Sequence, residues 1–258
     1  MITFSVVTCT YNCQETLSQT LDSVRHQTYP HIQHLIIDGA SKDETLSIAR
    51  QYQQQSTNDK THHQVIIHSE PDDGLYHAMN KALTLATGQY LVFLNAGDTF
   101  PTVETLQMVA AKVNETETLP AVLYGDTDIV DQDGHFVRHR RLSPPKQLTW
   151  RSFRKGMLVC HQSFYALTEI VRSVNYDTHY RYSADVDWCI RVMKEAERRN
   201  LPLKNMNCVL TNYLDGGMSI KYHRSSLKER FQVMRKHYGV IDTTLMHAWF
   251  IIRSICKR

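Results

Sequence analysis

Long apolar runs are missing from this chain of 258 residues, whose longest apolar stretches fall far short of the ~20 residues that a membrane-spanning helix needs. The N-terminus shows no basic segment followed by such a run, so neither a secretory leader nor a membrane span is expected. Six cysteines (Cys9, Cys13, Cys160, Cys189, Cys208 and Cys256) are scattered without a CxxC pair. That spacing argues against a disulfide framework and a zinc ribbon, and makes a reducing cytosol the simplest home. There is no Pro/Gly/Ser tract, charge block or internal repeat, so disordered linkers and repeat arrays are not predicted.

What remains is the composition of an ordinary globular protein, 42% hydrophobic and 21% charged, long enough to enclose a large core. The net charge of +3 hides an asymmetry: residues 221–258 hold nine Lys/Arg against two acidic residues, leaving the first 220 with 20 basic and 24 acidic. The expected organisation is a catalytic domain over 1–220 and a basic helical appendage over 221–258. No nucleic-acid module accompanies the basic tail, so nucleic acid is not an expected partner.

Phe4-Ser-Val-Val-Thr-Cys-Thr10 reads as a buried strand ending at Tyr11-Asn12, followed by a helix over Glu15–Gln27 with apolar residues at Leu17, Leu21 and Val24. His34–Asp38 is a second strand closed by Gly39, after which Ser41-Lys-Asp-Glu44 fits a capping box that opens a helix running to about Gln51. Val65–His68 is a third strand, Gly74–Ala86 a helix, and Gln89–Leu94 a central strand broken by Asn95-Ala-Gly-Asp98. Strands alternating with helices predict an α/β fold with a mostly parallel sheet, whose ligands bind beyond the carboxyl ends of the strands. Asp38 and Asp98 fall at such ends. Ala121–Tyr124 leads to a hairpin turning at Asp133-Gly134. The stretch from Met157 to Tyr165 is expected to be partly extended, Ala184–Arg198 is a helix, Ser225–His237 is a basic helix, and Leu245–Ile252 is a short apolar stretch.

Transfer of a sugar from a nucleoside diphosphate requires a nucleoside pocket, neutralisation of the departing diphosphate and a base for the acceptor hydroxyl. Separated carboxylates on strand-end turns suit these tasks, and Mg²⁺ or Mn²⁺ prefers one or two carboxylates together with phosphate and water oxygens. Eight segments occur in an order and spacing that resemble the family 2 glycosyltransferases: Ser5–Asn12, Ile37–Asp43, Ser69–Lys81, Phe93–Asp98, Tyr124–Asp126, His161-Gln162, Ser183–Asp187 and Gly216–Ser219. The resemblance spans roughly residues 3–220. It looks closest to enzymes of colanic-acid and exopolysaccharide synthesis, and implies a GT-A, Rossmann-like nucleotide-diphospho-sugar transferase fold.

That resemblance implies specific roles. Thr8 and Tyr11 border the nucleotide, and Asp38 accepts a hydrogen bond from the base; the other reading is that Asp38 only caps the turn at Gly39. Asp73 and Lys81 line the donor site, with Lys81 offsetting phosphate charge, or belong to solvated surface. Asp98 is the metal anchor. The chain departs from the family's acidic metal motif at Asn95, which remains a hydrogen-bonding donor-site residue. Asp185 is the catalytic base, with Asp187 as second choice, and either one can instead serve only the helix dipole. His161 and Asp126 face the acceptor, although a packed histidine and an ordinary Gly-Asp turn account for them equally. Gly216-Gly217 is read as a loop beside the site or as a plain turn.

The activity implied is inverting, metal-assisted transfer from a UDP- or GDP-sugar to a saccharide, one that can be carried on a polyprenyl diphosphate. The basic tail with Trp249, Phe250, Ile251 and Ile252 suggests peripheral contact with the inner face of the plasma membrane, or a helix packed on the core. Two other functions compete: a non-catalytic nucleotide-sugar-binding assembly protein, suggested by Asn95, and a response-regulator-like phosphoacceptor domain built on Asp38. The second leaves Asp98 and Asp185 without a role.

Overall fold

A computed structural model describes residues 1–58, 63–217 and 222–255. One eight-stranded sheet forms the centre. Four parallel strands, β1 (Phe4–Thr10), β2 (Ile32–Asp38), β3 (Gln64–Ser69) and β4 (Tyr90–Phe93), make one half and are linked by α1 (Gln14–Arg25), α2 (Thr45–Asn58) and α3 (Leu75–Leu85). The helix α4 (Thr105–Asn114) leads to the other half, formed by β5 (Val122–Val130), β6 (Phe136–His139), β7 (Phe164–Leu167) and β8 (Leu203–Leu214). The order is β3-β2-β1-β4-β7-β5-β6, with β8 on the other side of β5. β7 runs antiparallel to β4, while β8 runs parallel to β5. This is the expected mixed, mostly parallel α/β architecture.

β1 and β2 are buried at every position, as strands covered on both faces should be, and their polar residues pair across the strands, Ser5 with Gln33 and Thr8 with His34. Their register sets Thr10 opposite Asp38 and Asp38 opposite Ser69, so three strands end level. After the short α5 (Thr168–Val171) comes α6 (Ala184–Arg198), which buries Trp188, Ile190, Val192 and Met193 as its periodicity predicts. Trp188 stacks on Tyr176 at 4.7 Å, and Tyr176 on Tyr76 at 5.5 Å. This aromatic column runs from the core to the first turn of α6.

The helix expected to open at a Ser41 capping box begins instead at Thr45. Ser41 is held by Asp38, while Asp43 accepts the amide N–H groups of Thr45 and Gln14. Local sequence cannot show that a carboxylate three residues upstream competes for the same serine. β8, α4 and a 3₁₀ turn at Trp150–Lys155 are not among the expected elements; β8 carries Asn205, Asn207 and Asn212, with Asn207 interrupting it at φ 52°, whereas α4 buries Leu106, Val109, Ala110 and Val113 at helical spacing.

The basic helix is α7 (His223–Tyr238), followed directly by α8 (Val240–Ile255). Val233 and Met234 of α7 are buried, and Tyr238 lies parallel to Trp150 at 5.7 Å. The Glu229 carboxylate accepts the backbone N–H groups of Arg181, Tyr182 and Ser183 at 2.7–3.0 Å. These bonds fix α7 against the entry to α6. Among the described residues no helix is long and apolar enough to cross a membrane.

Candidate active site

The turn after β4 is closed by a hydrogen bond from the Asp98 amide to the Asn95 carbonyl, with Gly97 at φ 98°. A positive φ at the third turn position suits glycine. The turn sets Asn95 and Asp98 at the carboxyl edge of the sheet. Gly97 has a second constraint, because a side chain there would strike Leu214 at the end of β8.

Asp98 is 3% exposed. Its carboxylate accepts the Leu214 amide at 3.0 Å and the Gln162 side-chain amide at 2.9 Å. Burial pushes its pKa up to about 7 despite those bonds. Asn95 Nδ2 lies 3.4 Å from His161 Nε2, and Asn95 Oδ1 is buried without a hydrogen-bond donor. A buried orphan oxygen calls for an absent partner. One carboxylate and one amide oxygen in the same four-residue turn fit a hard divalent cation that takes its other ligands from diphosphate and water.

Asp185 occupies the first turn of α6, where the helix dipole favours a negative charge. It accepts a hydrogen bond from the Tyr76 hydroxyl at 3.2 Å, and its other oxygen lies 3.5 Å from His161 Nδ1. Burial raises its pKa, but His161, the Arg230 charge and the Val186 amide outweigh burial and hold it below the usual carboxylate range. Asp185 therefore remains ionised at neutral pH while part-exposed. The structure thus brings together Asp185, His161 and the Asn95–Asp98 turn from three separate segments.

Other expected site residues are placed differently. Asp187 has no exposed surface; it accepts from His237 at 2.8 Å, Lys236 at 3.0 Å and Arg191 at 2.6 Å. The hydrogen bonds from these groups and the Arg191 charge hold its pKa far down against the opposing effect of burial, so Asp187 locks α7 to α6 and is not a base for substrate. Thr8 lies inside β1, fully buried. Its hydroxyl donates to the Leu94 carbonyl at 2.8 Å and sits 3.0 Å from His34 Nε2, so it ties strands together and does not border a ligand.

Asp38 is also almost fully buried and accepts four hydrogen bonds, from Thr10 Oγ1, Ser69 Oγ, and both Oγ and the amide of Ser41. Burial works against its charge, but these bonds hold its pKa below the ordinary value. With its lone pairs engaged, Asp38 shapes the loop and is not free to read a base. Tyr11, 63% exposed just past β1 and packed near Gly39, has the free ring face. Lys81 pairs with Glu70 at 2.9 Å and donates to the Pro71 carbonyl at 3.1 Å, while Asp73 is exposed in the adjoining loop. Asp126 lies on β5, where burial and Asp128 raise its pKa and His139 lowers it; its charged neighbours are not those of Asp185. Gly216 has φ 92°, and a side chain at Gly217 would collide with the Tyr213 hydroxyl. The Met218-Ser219 half of that motif lies outside the described residues.

Two residues were not anticipated. Tyr76 lies in the Ser69–Lys81 segment with no role implied for it, and Arg230 is one of several basic residues in a tail whose sequence suggests membrane contact or a helix packed on the core. Among the described residues an acidic and histidine cluster, Asp131, Asp133 and His135, sits on the β5–β6 turn and is mostly exposed.

A sheet of this order, with its polar groups at the carboxyl edge, defines a GT-A glycosyltransferase fold. It is shared with the S. aureus TarS 1–349 structure in complex with UDP-GlcNAc (TM-score 0.70, 18% identity, 91% of this chain and 65% of that one). It is shared too with the mannosyltransferase PcManGT of Pyrobaculum calidifontis in complex with GDP-Man and Mn²⁺ (TM-score 0.61, 20% identity, 96% of this chain and 68% of that one). The chain thus spans about two thirds of the length of these structures. Residues 5–173 match glycosyl transferase family 2, and a PGL/p-HBAD biosynthesis glycosyltransferase of Mycobacterium bovis is 32% identical over 218 residues, 84% of this chain and 78% of that one. The chain belongs to glycosyltransferase family 2.

Proposed function

We propose that this glycosyltransferase moves a sugar from a UDP- or GDP-sugar to a saccharide hydroxyl, with inversion, during synthesis of a bacterial surface glycan or exopolysaccharide. The observation that carries the reading is Asp185: ionised, part-exposed, and oriented by Tyr76 and His161 beside the Asn95–Asp98 turn. A carboxylate so placed takes the proton from the acceptor hydroxyl as the oxygen attacks the anomeric carbon. The bond to the diphosphate oxygen breaks on the opposite face, and a single displacement inverts the centre. Asp98 and Asn95 would hold Mg²⁺ or Mn²⁺, which when bound neutralises charge on the departing diphosphate. Tyr11 offers its ring to the base.

A saccharide on a polyprenyl diphosphate is the acceptor class this reading favours. Ile241, Leu245, Trp249 and Ile252 recur along one face of α8 and are all exposed. Beside a basic α7, that face suits the headgroup region of an anionic bilayer. The deciding experiment is titration with UDP and GDP, with and without Mn²⁺, followed by transfer assays with the matching donor sugars. Metal-enhanced binding of one nucleotide together with turnover supports the reading. Binding with no transfer to any lipid-linked acceptor would reduce the protein to an assembly factor, and no binding would remove the donor site.

A further inference from the structure

Arg230 is the most unusual charge in the molecule. It follows Glu229 on α7, and the Glu229 carboxylate together with the Ser183–Ser226 contact holds this turn of α7 on the entry to α6. The Arg230 side chain is thereby directed to the side of Asp185 and Tyr76. Its Nε is buried and has no hydrogen-bond partner, and among the described residues no ion pair or hydrogen bond engages its guanidinium. Arginine resists deprotonation, so a buried Nε–H without an acceptor on a half-buried guanidinium is costly.

The surroundings make the deficit larger. Arg140 reaches towards the same region, but its guanidinium donates only to the carbonyls of Leu142, Met157 and Leu158, so no carboxylate neutralises it. Burial depresses the Arg230 pKa, Asp185 opposes this, and Arg140 and Arg141 add to it. Asp185 thus shares this region with Arg230 and with Arg140, whose guanidinium bonds carbonyls. A small anion with oxygens on several sides answers this arrangement, since guanidinium pairs with phosphate through two parallel N–H bonds.

We propose that Arg230 binds the phosphate oxygens of a diphosphate ester beside Asp185. The inference rests on the transferase reading of the site. As the anomeric C–O bond breaks, its electron pair goes to the diphosphate oxygen, the acceptor proton goes to Asp185, and Arg230 keeps its own proton while bonding the anion. The ester is either the donor's nucleoside diphosphate or the diphosphate of a prenyl-linked acceptor, and the two are separable.

The test is calorimetric titration of wild type, Arg230→Gln and Arg230→Lys with UDP, GDP, the corresponding nucleosides, inorganic pyrophosphate and geranyl diphosphate. Arg230→Gln should weaken binding of pyrophosphate and of one ester class at least tenfold while leaving nucleoside binding unchanged, and Arg230→Lys should recover part of the loss. A loss confined to UDP or GDP assigns the residue to the donor; one confined to geranyl diphosphate assigns it to the acceptor. Wild-type affinity for pyrophosphate and both esters in an Arg230→Gln protein with an unchanged thermal melt overturns the proposal, as does a shifted pH–rate profile with no change in affinity. If Arg230→Gln does not fold, Arg230→Lys decides, because loss of the two-pronged fork should still weaken the ester severalfold. Pyrophosphate keeps the arms distinct: should the wild type bind it in an Arg230-dependent way yet transfer no sugar, the transferase reading fails and the anion site stands.

Discussion

Asp185 and Asp187 are two residues apart in one helical turn, yet they meet opposite environments. At about 100° per residue they point to nearly opposite sides of α6. Asp185 faces His161 and Tyr76, while Asp187 is enclosed by Arg191, Lys236 and His237. Asp185→Asn should keep nucleotide affinity within about threefold and lower transfer by roughly 10²–10⁴, the usual contribution of a general base; single-turnover assays with bound donor measure it. Asp187→Ala should act on stability, leaving Arg191 and Lys236 without their shared carboxylate at a cost of about 3–5 kcal/mol, read by urea denaturation. Unchanged stability would detach α7 from the account given of it.

Elements at the C-terminal end divide by what they bury. α7 contributes Val233 and Met234 to the core and supplies Glu229, Lys236 and His237 to the entry and first turn of α6. α8 leaves Ile241, Leu245 and Trp249 exposed. Truncation after Tyr238 should therefore preserve folding and transfer to a soluble acceptor while abolishing sedimentation with anionic vesicles. Retained vesicle binding would place the membrane contact elsewhere. Truncation before α7 should instead yield unfolded protein, because the buried Asp187 would lose Lys236 and His237.

At the scale of the whole molecule, Asp98 joins the two halves of the sheet, since it follows β4 while its partners come from the Gln162 turn and the end of β8. Its pKa is raised in the folded state, so the neutral acid favours folding. That stabilisation is complete below the ordinary value of 3.8 and is lost as pH rises to about 7. A shift of this size corresponds to about 4 kcal/mol. Denaturation midpoints should therefore fall between these pH values in wild type, and Asp98→Asn should flatten the slope. Cation binding needs the ionised form, so Mn²⁺-dependent nucleotide affinity should increase as pH rises through about 7, measured by titration at fixed ionic strength.

Strands β1, β2 and β4, the α6 helix and the acidic positions at their ends were legible from the sequence, because periodicity and turn residues act over a few neighbours. The family resemblance, and not local pattern, implied separate roles for Asp185, His161, Asn95 and Asp98. It did not determine which carboxylates would remain available. Asp38 is occupied by Thr10 and Ser69, and Asp187 by residues of α7, all of them remote in the chain. Tyr76 and Arg230 acquire their meaning in the same way, through contact with α6. Short-range pattern set most of the strands and helices and where their charged ends fall; which of those charges are neutralised was set by packing, since that depends on donors and acceptors brought together from distant segments.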